Sequence, residues 1–394
     1  MSAARAETRE YFVPGRVELV GKHVDYAGGR SLTIATELAI RARATAIDEP
    51  LIRLRRAAGE VAMDVALSPE AAATTLRSSA YVTAVARRFA RDFPFARKGV
   101  AIEMQSDLPT SAGLSSSTAL VVTLAMAFVD ANDLAGDERW RAAVPSPIAF
   151  AEYVAAIETG EAYGAFPADG GVGVRGGAQD HVAIVCAEEG TAGQFRYLPA
   201  QLERRVPWPD DCVIAIGVSG VHATKTGNAK AAYNRLADAM RLEAGSRKPE
   251  AGRSKMEDGR STTEAPPANV IERRAQFREE TEVIVPGVGD AIRDREWNAL
   301  GSLVDRSQAL AESVLRNQVP ETIHLARTAR EYGALAASAF GAGFGGAVWA
   351  MIPRDDSDRF MAAWRAGYEG AFPGRRARAR WSLTMPAGPA RRVS

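Results

Sequence analysis

The sequence predicts a two-domain protein of the α+β class. Three observations carry that expectation. The chain has 394 residues, 46% of them hydrophobic and 25% charged, which suffices for two cores of ordinary globular composition. Short β-branched runs are interleaved with longer stretches of helical spacing. Near residue 207 the chain reads VPWPDD, prolines and acids before a new apolar run, which separates a unit of residues 1–206 from one of 207–394.

The elements follow in order. RVELV alternates charged and apolar residues and reads as a strand, and LTIATELAIRARATAI (32–47) supplies further strands. Ser79 to Phe93 places Val82, Val85 and Phe89 at helical spacing and predicts an amphipathic helix. GVAIEMQSDLP is a strand ending at Pro109. SAGLSSSTALVVTLAMAFVDAN then turns through Gly113 into a helix apolar nearly all round, hence buried. A helix follows from Pro147 to about Glu161. GGVGVRGGAQDHVAIVCAEEG reads as a Gly-rich turn leading into a short buried strand. CVIAIGVSG opens the second unit as a strand. Residues 243–269, rich in Gly, Ser, Pro and charge, are expected to form a mobile insertion. Helical patterns run from Val270 to Tyr332. ALAASAFGAGFGGAVWAMIP is a Gly-rich loop running into a strand, and WSLTMPAGPARRVS a last strand and tail.

Composition excludes several classes of function. A net charge of +1 gives no general attraction to nucleic acid or to anionic membranes. The two cysteines, Cys186 and Cys212, sit in apolar runs without metal-ligand spacing, so a reduced cytoplasmic protein is expected. The N-terminal MSAARAETREYF has no signal-peptide pattern, and the longest apolar run, Ala119 to Val129, is too short to span a bilayer.

Chemistry is concentrated in three Gly-containing segments. PGRVELVGKHVDYAGG (14–29) packs Arg16, Lys22, His23 and Asp25 together. LPTSAGLSSSTAL leads three serines into a helix start, whose free N–H groups and positive dipole end suit a polyphosphate. Its plainer reading is a helix cap from Ser115, Ser116 or Ser117. GAGFGG (341–346) precedes a strand, so it is no dinucleotide fingerprint. No P-loop of the G-x-x-x-x-G-K-[ST] type occurs.

Together, and in this order, the three segments resemble the motifs of the GHMP kinase family and, within it, the galactokinases. Pro14 to Gly29 is similar to P-G-R-V-N-L-I-G-E-H-T-D-Y-N-G-G. Leu108 to Thr118 is similar to L-P-x-x-x-G-L-S-S-S-A, and Gly341 to Gly346 matches G-A-G-F-G-G without change. VSGVHATKTGNAKAAYNR resembles the segment that carries a sugar-contacting tyrosine, here Tyr233. The resemblance implies a two-domain GHMP kinase fold with its active site in the interdomain cleft. It implies phosphoryl transfer from ATP to the anomeric hydroxyl of a sugar, with Mg²⁺. It places Asp180 of GGAQDH as the base, Arg16 beside it, and Lys22, His23, Asp25, Gly177 and Tyr233 at the sugar. Pro109, Gly113, Leu114, Ser115, Ser116, Ser117 and Gly343 fall at ATP. Ser117 and Glu158 fall at the metal, with Glu161 as the rival acid. A monomer or weak dimer is expected.

The pattern also breaks. Lys22 stands where galactokinases have Glu, Glu18 where they have Asn, and C-G-I-M-D-Q has become G-G-A-Q-D-H. An ammonium in place of a carboxylate reverses the hydrogen-bonding demand. Either the substrate carries an anionic group there, as in a uronic acid, or Lys22 pairs with a nearby carboxylate such as Glu18, Asp25 or Glu158. The expected substrate is therefore galactose or a related sugar, with a uronic acid or arabinose as the alternative. A non-catalytic sugar and ATP sensor is the competing class, and a GHMP kinase of a non-sugar alcohol a third.

Overall fold

The computed structural model describes residues 7–55, 61–73, 77–110, 112–174, 176–221 and 268–394. Tyr233 and nearly all of the 243–269 segment lie outside them. Strand β1 (Thr8–Val20) pairs antiparallel with the long β2 (Arg30–Ile47), and β5 (Gly99–Ser106) follows on the other side of β2. The short β3 (Leu51–Arg55) and β4 (Val61–Ala66) complete that edge, β3 lying parallel to β5. The hairpin of β6 (Thr191–Arg196) and β7 (Gln201–Pro207) joins the sheet at the start of β2.

Helices cover the sheet. They are α1 (Arg77–Asp92), α2 (Ser116–Ala131), the short α3 (Glu138–Ala143), α4 (Pro147–Thr159) and α5 (Gln179–Val185). α2 is buried over most of its surface, as its apolar periphery requires, with Val121, Val122, Leu124 and Phe128 fully enclosed. Ser146 caps α4 by accepting from the Ala149 N–H, with Pro147 behind it.

A second sheet, in the order β11-β8-β10-β9, is antiparallel and four-stranded. It comprises β8 (Cys212–Val218), β9 (Ala336–Ala339), β10 (Ala347–Pro353) and β11 (Arg380–Thr384). Between β8 and β9 run α6 (Ala268–Glu279), α7 (Val285–Asp294), α8 (Trp297–Leu310) and α9 (Pro320–Glu331). Glu280–Ile284 and Ala311–Leu315 are π-helical turns. After β10, α10 (Ser357–Ala371) packs Trp364 and Tyr368 over Val213 and Ala215 to build a separate small core. No helix among the described residues is long and apolar enough to cross a membrane.

Two expectations are corrected. The last strand, β12 (Arg391–Arg392), pairs with β1, so the chain's end returns to the first sheet. HVAIVC is not a strand: residues 179–185 form α5. A short apolar run of β-branched residues has the same pattern in a buried strand and a buried helix, and tertiary packing decides.

Candidate active site

β1 supplies the first wall. Its charged residues would ordinarily mark a solvated face. Here Arg16 and Glu18 are buried, because α5 and the loop before α2 cover that face. Arg16 reaches Asp180 in the first turn of α5: its Nε and Nη2 both lie 2.7 Å from Oδ1. Nη1 donates to the carbonyl of Gly113, and the Arg16 backbone N–H donates to Leu114 at 3.3 Å. Ser115 donates its hydroxyl to the other Asp180 oxygen, Oδ2, at 2.6 Å. Asp180 thus holds a guanidinium on one oxygen and a hydroxyl on the other, with its side chain 21% exposed and open to a substrate.

Ser115 corrects a simple reading of the serine run. It sits at the N-cap of α2 in left-handed backbone (φ 59°), yet its side chain does not cap the helix. It turns to Asp180 instead, leaving the first N–H groups of α2 without a side-chain cap. Gly113 turns the loop with φ +86°. Leu114 is buried in the core, while Pro109, Ser116 and Ser117 are half-buried at the helix mouth.

Glu158 lies in the last turn of α4 and is 5% exposed. Its Oε2 is 3.3 Å from Thr118 Oγ1 on α2 and 3.2 Å from His181 Nε2 on α5. It therefore stands against the residue next to Ser117. Glu161 lies exposed beyond the helix end, its carbonyl accepting from Arg88. A serine hydroxyl and a carboxylate beside an uncapped helix start are hard oxygen donors, a set that suits Mg²⁺ completed by phosphate oxygens and water. Among the described residues no group of three or more His, Cys, Asp or Glu could hold a metal with protein ligands alone.

The loop after β1 forms the other wall. Asp25 opens a single 3₁₀ turn, Asp25–Ala27, and accepts from the Gln179 N–H on Oδ2 at 3.4 Å. Gly177 is needed beside it, since a Cβ there would stand 2.3 Å from that same oxygen. His23 is tied to the C-terminal unit. Its Nε2 lies 3.1 Å from Asn317 Nδ2 and 3.3 Å from the Ala342 carbonyl, and Nδ1 lies 3.4 Å from the Tyr26 hydroxyl. Asn317 also braces the Gly341–Gly346 loop: a Cβ on Gly343, where φ is +81°, would meet the Asn317 carbonyl at 2.4 Å. Arg273 closes the loop from α6, donating to the His23 carbonyl and, at 3.2 Å, to the Tyr26 hydroxyl.

Lys22 takes another direction. It is 1% exposed, and its Nζ donates to Ser307 of α8 and Ser338 of β9, both at 2.8 Å. Ser307 passes the interaction to Glu280 Oε1 at 2.8 Å, which also accepts from the Gly21 N–H. Burial lowers the Lys22 pKa from its ordinary 10.5, opposed by the Glu280 charge and then those of Glu18 and Glu312. None of Glu18, Asp25 or Glu158 accepts from its ammonium, so the carboxylates suggested by proximity in sequence are not its partners. Sequence reasoning missed Ser307, Ser338, Glu280 and Asn317, which carry no motif. The Ser115–Asp180 contact was hidden because both residues had other expected roles.

Residues 80–158 match the GHMP kinases N terminal domain, and residues 290–370 match the GHMP kinases C terminal domain. Residues 3–45 match the galactokinase galactose-binding signature. The chain is similar to the galactokinase of Chloroflexus aggregans, 26% identical over 379 residues, which covers 92% of this chain and 88% of that protein. It is similar to the galactokinase of Thermococcus kodakarensis, 25% identical over 370 residues, covering 92% and 94%. Among solved structures, Lactococcus lactis galactokinase complexed with galactose superposes with a TM-score of 0.76 at 20% identity, covering 98% of this chain and 95% of that one. L. major mevalonate kinase in complex with R-mevalonate gives 0.62 at 14% identity, covering 98% and 100%. At these identities the structural likeness shows the fold.

The chain belongs to the GHMP kinase family. Within it, the chain is a galactokinase-like sugar kinase.

Proposed function

We propose that the protein transfers the γ-phosphoryl group of ATP to the anomeric hydroxyl of galactose or a closely related neutral sugar. The observation that carries this reading is the junction at Asp180, where Arg16 of the first motif and Ser115 of the second converge on one accessible carboxylate. A hydroxyl that replaces Ser115 on Oδ2 can give its proton to Asp180 while its oxygen attacks the γ-phosphorus and the bond to ADP breaks. Arg16 orients the carboxylate and places positive charge where the transferring group develops negative charge. The uncapped N–H groups of α2 bind the phosphates. Ser117 and Glu158 would hold Mg²⁺, which when bound neutralises charge on the polyphosphate. His23, Asp25 and Gly177 line the sugar side, and Tyr233 is proposed to join them.

The direction of Lys22 supports a neutral sugar. Its ammonium is enclosed by two serine hydroxyls and backed by Glu280, so it offers no cation to a uronate carboxylate. The test is a panel of galactose, arabinose, galacturonate, glucuronate and glucose, each with ATP and Mg²⁺. ADP release should depend on galactose or another neutral sugar and yield a non-reducing sugar phosphate. Preference for a uronate would overturn the neutral-sugar reading. Ligand-stabilised folding without turnover on any sugar would mark a sensor instead.

A further inference from the structure

Two of the chain's departures from the galactokinase motifs meet behind the base. Glu18 stands in place of Asn and Gln179 in place of Met, and Gln179 Nε2 donates to Glu18 Oε2 at 2.5 Å. Both side chains are at least nine-tenths buried. Gln179 is the first residue of α5 and the neighbour of Asp180, and its backbone N–H donates to Asp25. One residue therefore links strand β1, the sugar loop and the base.

We propose that Glu18 is a positioning residue for phosphoryl transfer: through Gln179 it fixes the start of α5, and with it the aim of Asp180. The inference rests on Asp180 being the base. The other oxygen of Glu18, Oε1, is buried without a hydrogen-bond partner, an arrangement costly for an ion and tolerable for a neutral carboxyl. The charged groups facing Glu18 are Arg16 on its own strand, Lys22 in the loop that follows it and Asp180 on α5. Asp25 stands on the far side of Gln179. The Tyr197 hydroxyl, held neutral by burial and bonded to Ser31 at 2.6 Å, feels the charges of Asp25, Asp180 and Glu18 in turn. Burial outweighs the attraction of Arg16 and Lys22 and pushes the Glu18 carboxyl up to about 8. Near neutrality Glu18 is thus mostly a neutral anchor. Once ionised, it becomes a second anion beside Asp180 and competes with it for Arg16, which lies two residues away on the same strand.

The test compares kcat and KM of wild type and Glu18→Gln from pH 6 to pH 10, at a temperature where both remain folded. Glutamine keeps the acceptor for Gln179 and cannot ionise. Wild-type kcat should fall roughly tenfold between pH 7 and pH 9 with its midpoint near pH 8, as one titrating group requires. Glu18→Gln should hold its kcat across that window, with KM for sugar and ATP little changed in either protein. An identical alkaline limb in both proteins would overturn the proposal. An infrared difference spectrum of wild type between pH 7 and pH 9 keeps it falsifiable should the variant not fold: a buried carboxyl must lose its proton in step with kcat, and no such band would also overturn it. Asp180→Asn separates the two readings. If that variant keeps its turnover, the assignment of the base fails, whatever Glu18 does; if it is inactive and the alkaline limb ignores Glu18, only the positioning role fails.

Discussion

Arg16 near the end of β1 and Lys22 in the loop that follows it are both buried cations, and they do opposite things. Arg16 meets a carboxylate that solvent still reaches, and shares it with a serine hydroxyl. Lys22 is enclosed by two neutral hydroxyls, with its nearest anion one step further away at Glu280. A cation paired in an open site remains available to chemistry. A cation enclosed between the loop after β1, helix α8 and strand β9 ties those elements together at the cost of its own desolvation. The difference explains how this chain keeps the reactive half of the first motif while changing its far half.

The sharpest way to break the comparison is at the Arg16 end. Asp180→Asn preserves shape and removes the proton acceptor, so kcat should fall by about 10²–10⁴-fold while the protein stays folded. A variant within a few-fold of wild-type kcat, with an unchanged melting temperature, would remove Asp180 from the reaction. At the Lys22 end the damage should be to stability. Lys22→Glu puts a carboxylate against Ser307 and Ser338 and beside Glu280, a side chain with no exposure. A buried carboxylate without a counter-ion costs several kcal/mol, and the like charge of Glu280 adds to it. Denaturant melts should show that loss, and kcat/KM for galactose and galacturonate should fall in proportion. A change in their ratio, with stability kept, would return Lys22 to the sugar.

A third prediction sharpens the metal assignment. Glu158→Gln should raise the Mg²⁺ concentration needed for half-maximal activity by about 10–100-fold, the usual scale for weakening a metal's ligand environment. Glu161→Gln, at an exposed position past the helix end, should not. A Mg²⁺ titration of both variants reads the difference. Equal shifts would dissolve the distinction that burial and the Thr118 contact draw between the two acids.

How much of this was legible in the sequence follows from range. The buried helix α2 and the strands β1, β5 and β10 are written in local periodicity. α5 is not, because HVAIVC has no period that separates strand from helix and Ala178 before it offers no cap. The Arg16–Asp180 pair could be anticipated through family resemblance alone, since nothing in the intervening chain ties the two together. Lys22 was ambiguous for a physical reason: its partners lie 285 and 316 residues further on, in an ordinary helix and an alanine-rich strand. Its local neighbours Glu18 and Asp25 looked like the natural counter-ions, but the pleat and the turn direct their carboxylates to Gln179. His23 likewise carried a motif signal for sugar, while its link to Asn317 carried none.

The smallest expected effect concerns how stability changes with pH at the Lys22 end. Burial lowers the Lys22 pKa, so the folded state disfavours the ammonium that the unfolded chain carries freely. Between the lowered folded value and the ordinary 10.5, the unfolded chain binds more protons than the folded one. Stability contributed by this group therefore rises with pH through that window and is level above it. Lys22→Met removes the titration, while Ser307 and Ser338 keep their own acceptors in Glu280 and Gln308. Glu18 titrates in both proteins and weakens both as pH climbs from its ordinary range through about 8, so its contribution largely cancels in the difference. The stability advantage of wild type over Lys22→Met should accordingly widen as pH rises toward 10.5, by far less than the activity changes above. Urea melts of both proteins at several pH values measure it. An advantage that shrinks with rising pH would mean that the folded state favours the ammonium after all, as a cation in direct contact with a carboxylate would, and Lys22 would then belong with Arg16 as a true ion pair.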